Sequence, residues 1–200
     1  MPKAFSDKEK EVIRRQMREK SKRLFEQHGL KKTSVDEITQ AVGISKGAFY
    51  LFYDSKEDLF LEIMEQMESE LRGSVFAHTL QPQENARESV RRILTSFLLT
   101  YDAYPLLKSF SQSDFDYLVR KLPAERLQAH VNRDNQFFDS LIKKVKREGI
   151  PLKVPPRVAM YLILSLFLVS LHRQDFGDAY AETIGILTDL VAGYVTEGAP

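Results

Sequence analysis

The sequence predicts an all-α protein, and two observations carry this prediction. Apolar residues recur with helical period in almost every segment of the 200-residue chain. No run of alternating apolar and polar residues, and no Asn-Gly hairpin turn, indicates a β-strand. Apolar residues make up 43% and charged residues 28% of the chain, a composition typical of a globular protein with a buried core.

The first helix is expected from about Asp7 to His28. Gly29 follows the last periodic residue, and a glycine at that position commonly ends a helix. One face of this helix carries apolar and small residues at helical spacing, and we expect it to be buried. These residues are Ile13, Met17, Ser21, Leu24, Phe25 and His28.

Two short helices are expected next, at about 35 to 42 and 46 to 52, with Gly43 where the chain turns between them. Such short helices are stable only when their apolar positions interlock with each other and with the first helix. The positions with suitable spacing are Ile38, Val42, Ile44, Phe49 and Phe52. This layout predicts a helix-turn-helix, in which the second short helix lies in the DNA major groove.

The start of the second short helix has residues suited to an anionic partner. Ser45 is placed to cap this helix, Gly47 lets the backbone approach a partner closely, and Lys46 adds a mobile positive charge. Residues 1–56 hold 13 Lys and Arg against 8 Asp and Glu, a net charge of +5, whereas the whole chain has a net charge of +1. This asymmetry favours an anionic partner for the N-terminal part alone.

Four stretches in fixed order resemble the TetR family of bacterial transcriptional regulators. They are L-F-E-Q-H-G, T-S-V-D-E-I, V-G-I-S-K-G-A-F-Y and S-K-E-D-L-F, all between residues 13 and 63. The rest of the chain agrees with the family in length and helix layout but carries no family motif. The resemblance implies a helix-turn-helix DNA-binding domain at residues 1–56 and a helical effector-binding and dimerisation domain at 57–200.

The resemblance also implies roles for individual residues. The residues expected to contact phosphates are Thr33, Ser34, Ser45, Tyr50 and Lys56. The residues expected to face base edges of double-stranded DNA are Lys46, Gly47 and Ala48, with Phe49 internal.

Three positions depart from the family pattern. Ser21 and Thr39 stand where the family usually has Ala, and slightly looser packing is expected there. Phe52 stands where a His or Tyr is frequent, so one phosphate contact is in doubt.

Six further helices are expected beyond the helix that begins near Lys56 and reaches about Arg72. The stretch H-T-L-Q-P-Q-E-N at 78–85 reads as a connection. The six helices are expected at about 84–103, 105–111, 114–121, 124–148, 156–173 and 178–196.

The last two helices carry more apolar and small surface than one domain of this size needs. The final helix has one row of large residues, with a second row of small residues beside it. These rows are Tyr180, Ile184, Leu187, Val191 and Tyr194, and Ala181, Gly185, Thr188 and Ala192. We therefore expect a homodimer through helices 156–173 and 178–196, as the resemblance also implies. Two copies would read two half-sites about 34–36 Å apart in a palindromic operator.

Aromatic residues are concentrated between the N-terminal helices and the last two. In helix 124–148 an apolar face is interrupted by polar residues that need a partner, which a ligand or another helix can supply. Aromatic residues at helical spacing are also typical of an ordinary core. Because the resemblance implies a small-molecule effector, we expect a pocket for a small hydrophobic ligand here. Its candidate residues are Phe97, Tyr101, Phe110, Phe115, Asp134, Asn135 and Phe138.

Other functional classes have less support. The four His residues are widely separated, and the chain has no His-Glu-x-x-His motif and no Gly-rich phosphate loop, so we expect no catalysis, cofactor or metal site. A helical ligand-binding or protein-interaction scaffold remains an alternative, but it leaves the basic N-terminal part unexplained. The cysteine-free chain begins without a secretion signal, and its longest apolar run, at 158–171, is shorter than a membrane span. A cytoplasmic location is expected.

Overall fold

The computed structural model describes residues 5–77 and 85–198, and within these ranges it contains α-helices, one short 3-10 helix and no strand. The predicted all-α class is therefore confirmed. The helices are α1 (Asp7–Lys32), α2 (Val35–Val42), α3 (Lys46–Phe49), α4 (Lys56–Ala77), α5 (Ala86–Ala103), α6 (Pro105–Ser109), α7 (Gln112–Lys121), α8 (Ala124–Arg147), α9 (Pro156–Leu171), α10 (Arg173–Phe176) and α11 (Tyr180–Glu197).

Most helix boundaries lie close to the predicted ones, but α3 is shorter than expected. Beyond Phe49 the hydrogen bonds change from helical spacing to turns, with the Leu51 N–H donating to the Ala48 carbonyl and the Phe52 N–H to the Phe49 carbonyl. Residues 50–52 therefore form a turn instead of continuing the helix. Of the predicted connection at 78–85, residues 78–84 lie outside the described residues.

Gly29 interrupts α1, as its position in the sequence predicts. Its backbone has φ 76° and ψ 164°, a conformation that only glycine adopts without strain. A last turn follows and brings Leu30 into the core, where it is buried. On the expected inner face Met17, Ser21 and Phe25 are buried, but His28 is exposed. The prediction for His28 was wrong because the change of direction at Gly29 gives the inward position to Leu30.

The described chain divides into two compact units. The N-terminal unit comprises Met1–Glu68 and Pro105–Pro123, and the C-terminal unit comprises Ser69–Tyr104 and Ala124–Pro200. Residues 57–68 and 105–123 therefore belong to the same compact unit as the first three helices. The division after residue 56 concerns functional domains and stays a prediction.

The N-terminal unit is built around α1, which packs against α2 and α6, while α2 packs against α3. Aromatic rings fill its centre: Phe25 meets Phe60 edge-on at 5.0 Å, and Phe60 stacks with Phe110 at 6.0 Å. The helix-turn-helix residues Ile38 and Phe49 are fully buried, as their spacing predicts. The two short helices are therefore held by the same core as α1.

The C-terminal unit is centred on α11, which packs against α5 and α9. Its core consists of aliphatic residues from four helices, α5, α8, α9 and α11, and from the segment after α8. They include Val90, Ile93, Leu94, Leu141, Val145, Ile150, Ala159, Leu166, Val191, Ala192 and Val195. At one edge, Arg87 on α5 pairs with Asp189 at 2.5 Å and with Glu197 at 3.3 Å, both on α11.

The exposed apolar row on α11 differs from the predicted one. Thr188, Val191 and Ala192 are buried in the core of the C-terminal unit, whereas Ile186 and Leu190 are 54% and 59% exposed. The exposed row is Ile186, Leu190 and Tyr194, and α9 has a similar row of Val158, Tyr161 and Leu168. The predicted rows are therefore exposed only in part: Tyr194, Ala181 and Gly185 are exposed, whereas other members are buried. Both faces of α11 carry apolar residues, and packing against α5 decides which one is buried.

None of the described helices is by itself long and apolar enough to cross a membrane. The segments Pro156–Leu171 and Arg173–Glu197 reach that length only together, with a bend of 70° between them.

Candidate nucleic-acid interface

The turn between α2 and α3 is fixed by local hydrogen bonds. Gly43 has φ 86° and ψ 34°, and its N–H donates to the Thr39 carbonyl, which closes α2. The Ser45 hydroxyl then accepts a hydrogen bond from the Ala48 N–H at 3.2 Å and caps α3. A left-handed residue followed by a helix cap lets the chain end one helix and begin the next within three residues, as in a helix-turn-helix.

The start of α3 faces solvent. Ser45, Lys46 and Gly47 are exposed, Ala48 is half-buried, and Phe49 is buried beneath them. A Cβ atom added at Gly47 would meet no atom within 4 Å, so the backbone there is open to a partner. The Lys46 ammonium lies 3.0 Å from the Asp36 carboxylate, but both side chains are more than half exposed. An exposed ion pair of this kind contributes little to stability, so Lys46 is free to exchange Asp36 for another anion.

The turn after α3 has one inward and two outward side chains. Tyr50 is 51% exposed and Leu51 is 73% exposed, whereas Tyr53 is buried. Phe52 is half-buried, with its ring 6.2 Å from that of Phe5. Phe52, one of the three departures from the family pattern, therefore packs against another aromatic ring. Leu51 was not among the predicted site residues, although an apolar residue directly between two aromatic ones is a signal that could have drawn attention to it.

Ser34 is exposed and caps α2. Its hydroxyl accepts from the Glu37 N–H at 3.2 Å, and the Glu37 carboxylate accepts from the Ser34 N–H at 2.7 Å. The Ser34 N–H, and after it the Ser34 hydroxyl at 2.8 Å, donate to the Glu37 carboxylate and hold the pKa of Glu37 below its ordinary value. Glu37 therefore stays negatively charged beside Ser34, and a phosphate approaching Ser34 meets that charge.

Two of the predicted phosphate contacts have internal partners. Thr33 is fully buried, and its hydroxyl donates to the Gly29 carbonyl at 2.9 Å. The Lys56 ammonium donates to the carbonyls of Leu30 at 2.9 Å, Lys31 at 3.1 Å and Thr33 at 2.6 Å. Partial burial lowers the pKa of Lys56 below its ordinary value. Both side chains donate to main-chain carbonyls at the end of α1. To contact a phosphate, each would have to break these hydrogen bonds.

Helix α7 is attached to the same unit by polar contacts on both sides. Lys31 near the end of α1 donates to the Ser113 hydroxyl at 2.5 Å. The Tyr117 hydroxyl donates to the buried Glu57 carboxylate at 2.7 Å, on the first turn of α4. Desolvation and then this hydrogen bond raise the pKa of Tyr117 to about 12. α7 therefore bridges the end of α1 and the start of α4, next to Lys56.

The predicted effector residues fall into both units. Phe110 and Phe115 belong to the N-terminal unit, where Phe110 stacks on Phe60 and Phe115 is 45% exposed. The other five belong to the C-terminal unit: Phe97, Tyr101, Asp134, Asn135 and Phe138. These seven residues are therefore not brought together within one unit.

Within the C-terminal unit part of the set forms an aromatic group. Phe97 lies 6.4 Å from Tyr101, whose ring meets Phe167 edge-on at 5.7 Å. Asp134 on α8 pairs with Arg72, whose guanidinium lies 5.0 Å above the Phe137 ring. Another helix, α4, thus supplies the partner that Asp134 needs, which was one of the two alternatives. Asn135 is exposed.

A cavity of about 120 Å³ lies inside the N-terminal unit. Its walls include Phe25, Phe60 and Phe110, and Glu26 and Asp114 also line it. Of the predicted effector residues, Phe110 lines this cavity.

Comparison with known proteins agrees with this geometry. Residues 18–63 match the family model described as bacterial regulatory proteins, tetR family. The chain is 47% identical over 49 residues to the HTH-type transcriptional regulator AcrR of Shigella flexneri, a match covering 24% of this chain and 23% of that protein. It is 23% identical over 176 residues to the HTH-type transcriptional regulator YhgD of Bacillus subtilis (strain 168), covering 87% and 90% of the two chains. The crystal structure of a TetR/AcrR-family transcriptional regulator from Thermobifida fusca is similar in fold, with a TM-score of 0.65 at 22% identity, covering 90% of this chain and 97% of that chain.

The fold and the exposed helix-turn-helix define a regulator of the helix-turn-helix class. Residues 18–63 belong to the tetR family of bacterial regulatory proteins.

Proposed function

We propose that this protein is a sequence-specific DNA-binding transcriptional regulator that represses its target genes by occupying a palindromic operator as a homodimer. One observation carries the proposal. The first residues of α3, Ser45 to Gly47, are exposed, while Phe49 of the same helix is buried in the core. A helix with one face anchored in the core and the other face exposed to solvent can enter a major groove.

The distribution of charge supports the same partner. The net charge of +5 lies on residues 1–56, in a chain whose total is +1. Such a basic region attracts the DNA backbone over a distance of about 8 Å at physiological salt. Lys46 supplies a positive charge at the exposed end of α3, where its present partner is an exposed carboxylate.

The exposed apolar rows of α9 and α11 support dimerisation. Three large apolar residues on each helix are more than 40% exposed within the C-terminal unit. Apolar surface of this extent is typical of a protein interface. Two copies joined through these helices present two copies of α3, and a two-fold axis matches a palindrome.

The effector is a small hydrophobic molecule that binds the C-terminal unit near the aromatic group of Phe97 and Tyr101. Helix α4 carries the response, because Lys56 lies at its first residue and Arg72, the partner of Asp134, lies further along the same helix. A ligand that changes the Arg72 contact acts on the helix that holds the end of α1. Binding of ligand and DNA is then coupled, and each weakens the other by the same factor.

A gel-shift experiment with the DNA upstream of the protein's own gene tests DNA binding. We expect a shift that competitor DNA of random sequence does not remove, with an affinity that falls steeply as salt increases, because phosphate contacts release counterions. Absence of specific binding at low salt would favour the alternative of a helical ligand-binding or protein-interaction scaffold. A ligand screen that leaves the affinity for DNA unchanged would contradict the regulatory part of the proposal.

A further inference from the structure

Leu51 is an exposed apolar residue at the tip of the helix-turn-helix. It is 73% exposed, and its neighbour Tyr50 is 51% exposed. The next two residues turn inward, with Phe52 against Phe5 and Tyr53 buried. Leu51 therefore adds little to the core, because most of its apolar surface stays in water.

Main-chain hydrogen bonds hold the backbone of this tip. The Leu51 N–H donates to the Ala48 carbonyl at 3.2 Å. The N–H groups of Phe52 and Tyr53 both donate to the Phe49 carbonyl, at 2.9 and 3.2 Å. Three consecutive main-chain bonds fix the direction in which the Leu51 side chain leaves the turn. A side chain directed in advance loses little freedom when it binds a partner.

The chemistry of the major groove limits what an apolar side chain can recognise there. Base edges in this groove present hydrogen-bond donors, hydrogen-bond acceptors and one apolar group, the C5 methyl of thymine. Lys46, on the same tip, can recognise acceptor atoms but not a methyl group. Leucine has the complementary property, since it cannot form a side-chain hydrogen bond.

We propose that Leu51 is a specificity-determining residue that contacts the C5 methyl group of a thymine in each half-site of the operator. This inference rests on the proposed function and adds a base preference to it. Leu51 loses its exposed apolar surface when the protein binds, and the thymine methyl loses its own. The energy of the contact comes from this mutual burial, so it depends on the methyl group and not on charge.

The test compares thymine with deoxyuridine, which has the same hydrogen-bonding groups and lacks the methyl. The operator is first selected from random duplexes with the wild-type protein. Each thymine of a half-site is then replaced by deoxyuridine in turn, and affinity is measured by fluorescence anisotropy at fixed salt. For wild type we expect a loss of about fourfold at one position per half-site, the value for one buried methyl group.

Leu51→Ala should bind the thymine and deoxyuridine forms equally at that position, while other positions keep their wild-type behaviour. Leu99→Ala is the matched control, since Leu99 is 67% exposed on α5 of the C-terminal unit. Leu99→Ala should show the same loss of affinity for the deoxyuridine duplex as the wild-type protein. Both substitutions remove an exposed side chain, and circular dichroism should show unchanged helix content.

Two results would overturn the inference while leaving the proposed function intact. One is that deoxyuridine costs Leu51→Ala as much as it costs wild type at every position. The other is that Leu51→Ala weakens selected and random duplexes by the same factor, which indicates a contact with sugar rather than with a base. Failure of the wild-type protein to select any sequence overturns the proposed function itself.

Discussion

The Lys56 ammonium nitrogen lies 2.6 Å from the carbonyl oxygen of Thr33, and it also donates to the carbonyls of Leu30 and Lys31. The last carbonyls of a helix have no partner within the helix. A single side chain from the start of α4 satisfies them here and holds the end of α1 just before α2 begins. Lys56 is therefore a structural residue of the helix-turn-helix, whatever contact it makes with DNA.

Lys56→Ala should lower the free energy of unfolding by about 1–3 kcal/mol, because it leaves partly buried carbonyls without a donor. Lys46→Ala should change it by less than about 1 kcal/mol, since the Lys46–Asp36 pair is exposed. Urea denaturation followed by circular dichroism measures both. An unchanged urea midpoint for Lys56→Ala would contradict the structural role.

The same two variants should differ in how they bind DNA, measured at a temperature where both are folded. Lys46→Ala should relax base preference, because it removes a group expected to face base edges, whereas Lys56→Ala should weaken all sequences alike. Anisotropy titrations with the selected operator and with a random duplex measure this difference. Equal effects of both substitutions on both duplexes would refute the division of roles.

Gly47→Ala should separate stability from DNA binding. The added Cβ meets no atom of the protein within 4 Å. Alanine is favoured over glycine in a helix by about 0.5–1 kcal/mol, so the variant should be as stable as wild type or slightly more stable. Affinity for the operator should nevertheless fall, because the methyl group stands where the backbone is expected to approach the groove. Gly73→Ala on α4 has equally open surroundings. It should share any gain in stability and leave DNA affinity unchanged.

Ser21→Ala should stabilise the protein. Ser21 is fully buried on α1, and within the described part of the chain its hydroxyl has no hydrogen-bond partner. Removing a buried, unsatisfied hydroxyl should raise the free energy of unfolding by about 1 kcal/mol. Thr39→Ala is the matched comparison, because Thr39 is also buried but donates to the Asp36 carbonyl at 3.0 Å. It should destabilise the protein, and thermal melts of the two variants should move in opposite directions.

Tyr117→Phe should alter stability in a way that depends on pH. At pH 8 the loss of the hydrogen bond to buried Glu57 should cost about 1–3 kcal/mol. The pKa of Tyr117 is raised from 10.0 to about 12, so the folded state holds this proton more tightly than the unfolded state does. The resulting stability is complete below pH 10 and is lost as pH rises towards 12.

The difference in urea midpoint between wild type and Tyr117→Phe should therefore narrow between pH 10 and about 12. Tyr104→Phe is a comparison and not a blank, because burial and then Glu70 raise the pKa of Tyr104 as well. Its hydroxyl makes a longer contact, 3.3 Å, with exposed Glu70, so a smaller difference in urea midpoint is expected. A difference that stays constant across this pH range would exclude the Tyr117–Glu57 bond as its source.

Leu190→Glu should separate the subunits of the proposed dimer. Leu190 is 59% exposed in the middle of the apolar row on α11, and a charge buried there without a partner is costly. Sedimentation at micromolar concentration should give a dimer for wild type and a monomer for the variant, with a matching loss of operator affinity. Leu99→Glu places the same charge at an exposed position of α5 and should remain dimeric. A monomeric wild-type protein would remove the dimer from the proposal.

The parts of this fold that the sequence predicts are those determined by neighbouring residues. Ser34 with Glu37, Gly43 and Ser45 each act within four positions along the chain, so the bounds of α2 and the start of α3 follow from the sequence. The length of α3 did not follow, because its end depends on how Phe49 and the following turn meet the core.

Features that depend on distant residues were not predicted. Nothing near Lys56 in the sequence indicates that its ammonium meets carbonyls more than twenty residues away. The grouping of α6 and α7 with the N-terminal helices rests on contacts such as Tyr117 with Glu57, sixty positions apart. On α11 the sequence offers two apolar faces, and only packing against α5 distinguishes them.

The brevity of α3 limits how much of an operator one chain can inspect. A helix of four residues spans a single turn and can touch only a few neighbouring base pairs. Sequences that nearly match so few base pairs must occur throughout a genome. In the proposed dimer, discrimination would therefore depend on the distance between the two half-sites as much as on their base sequence. An effector that alters this distance would change which operators are bound, and not only the affinity for each of them.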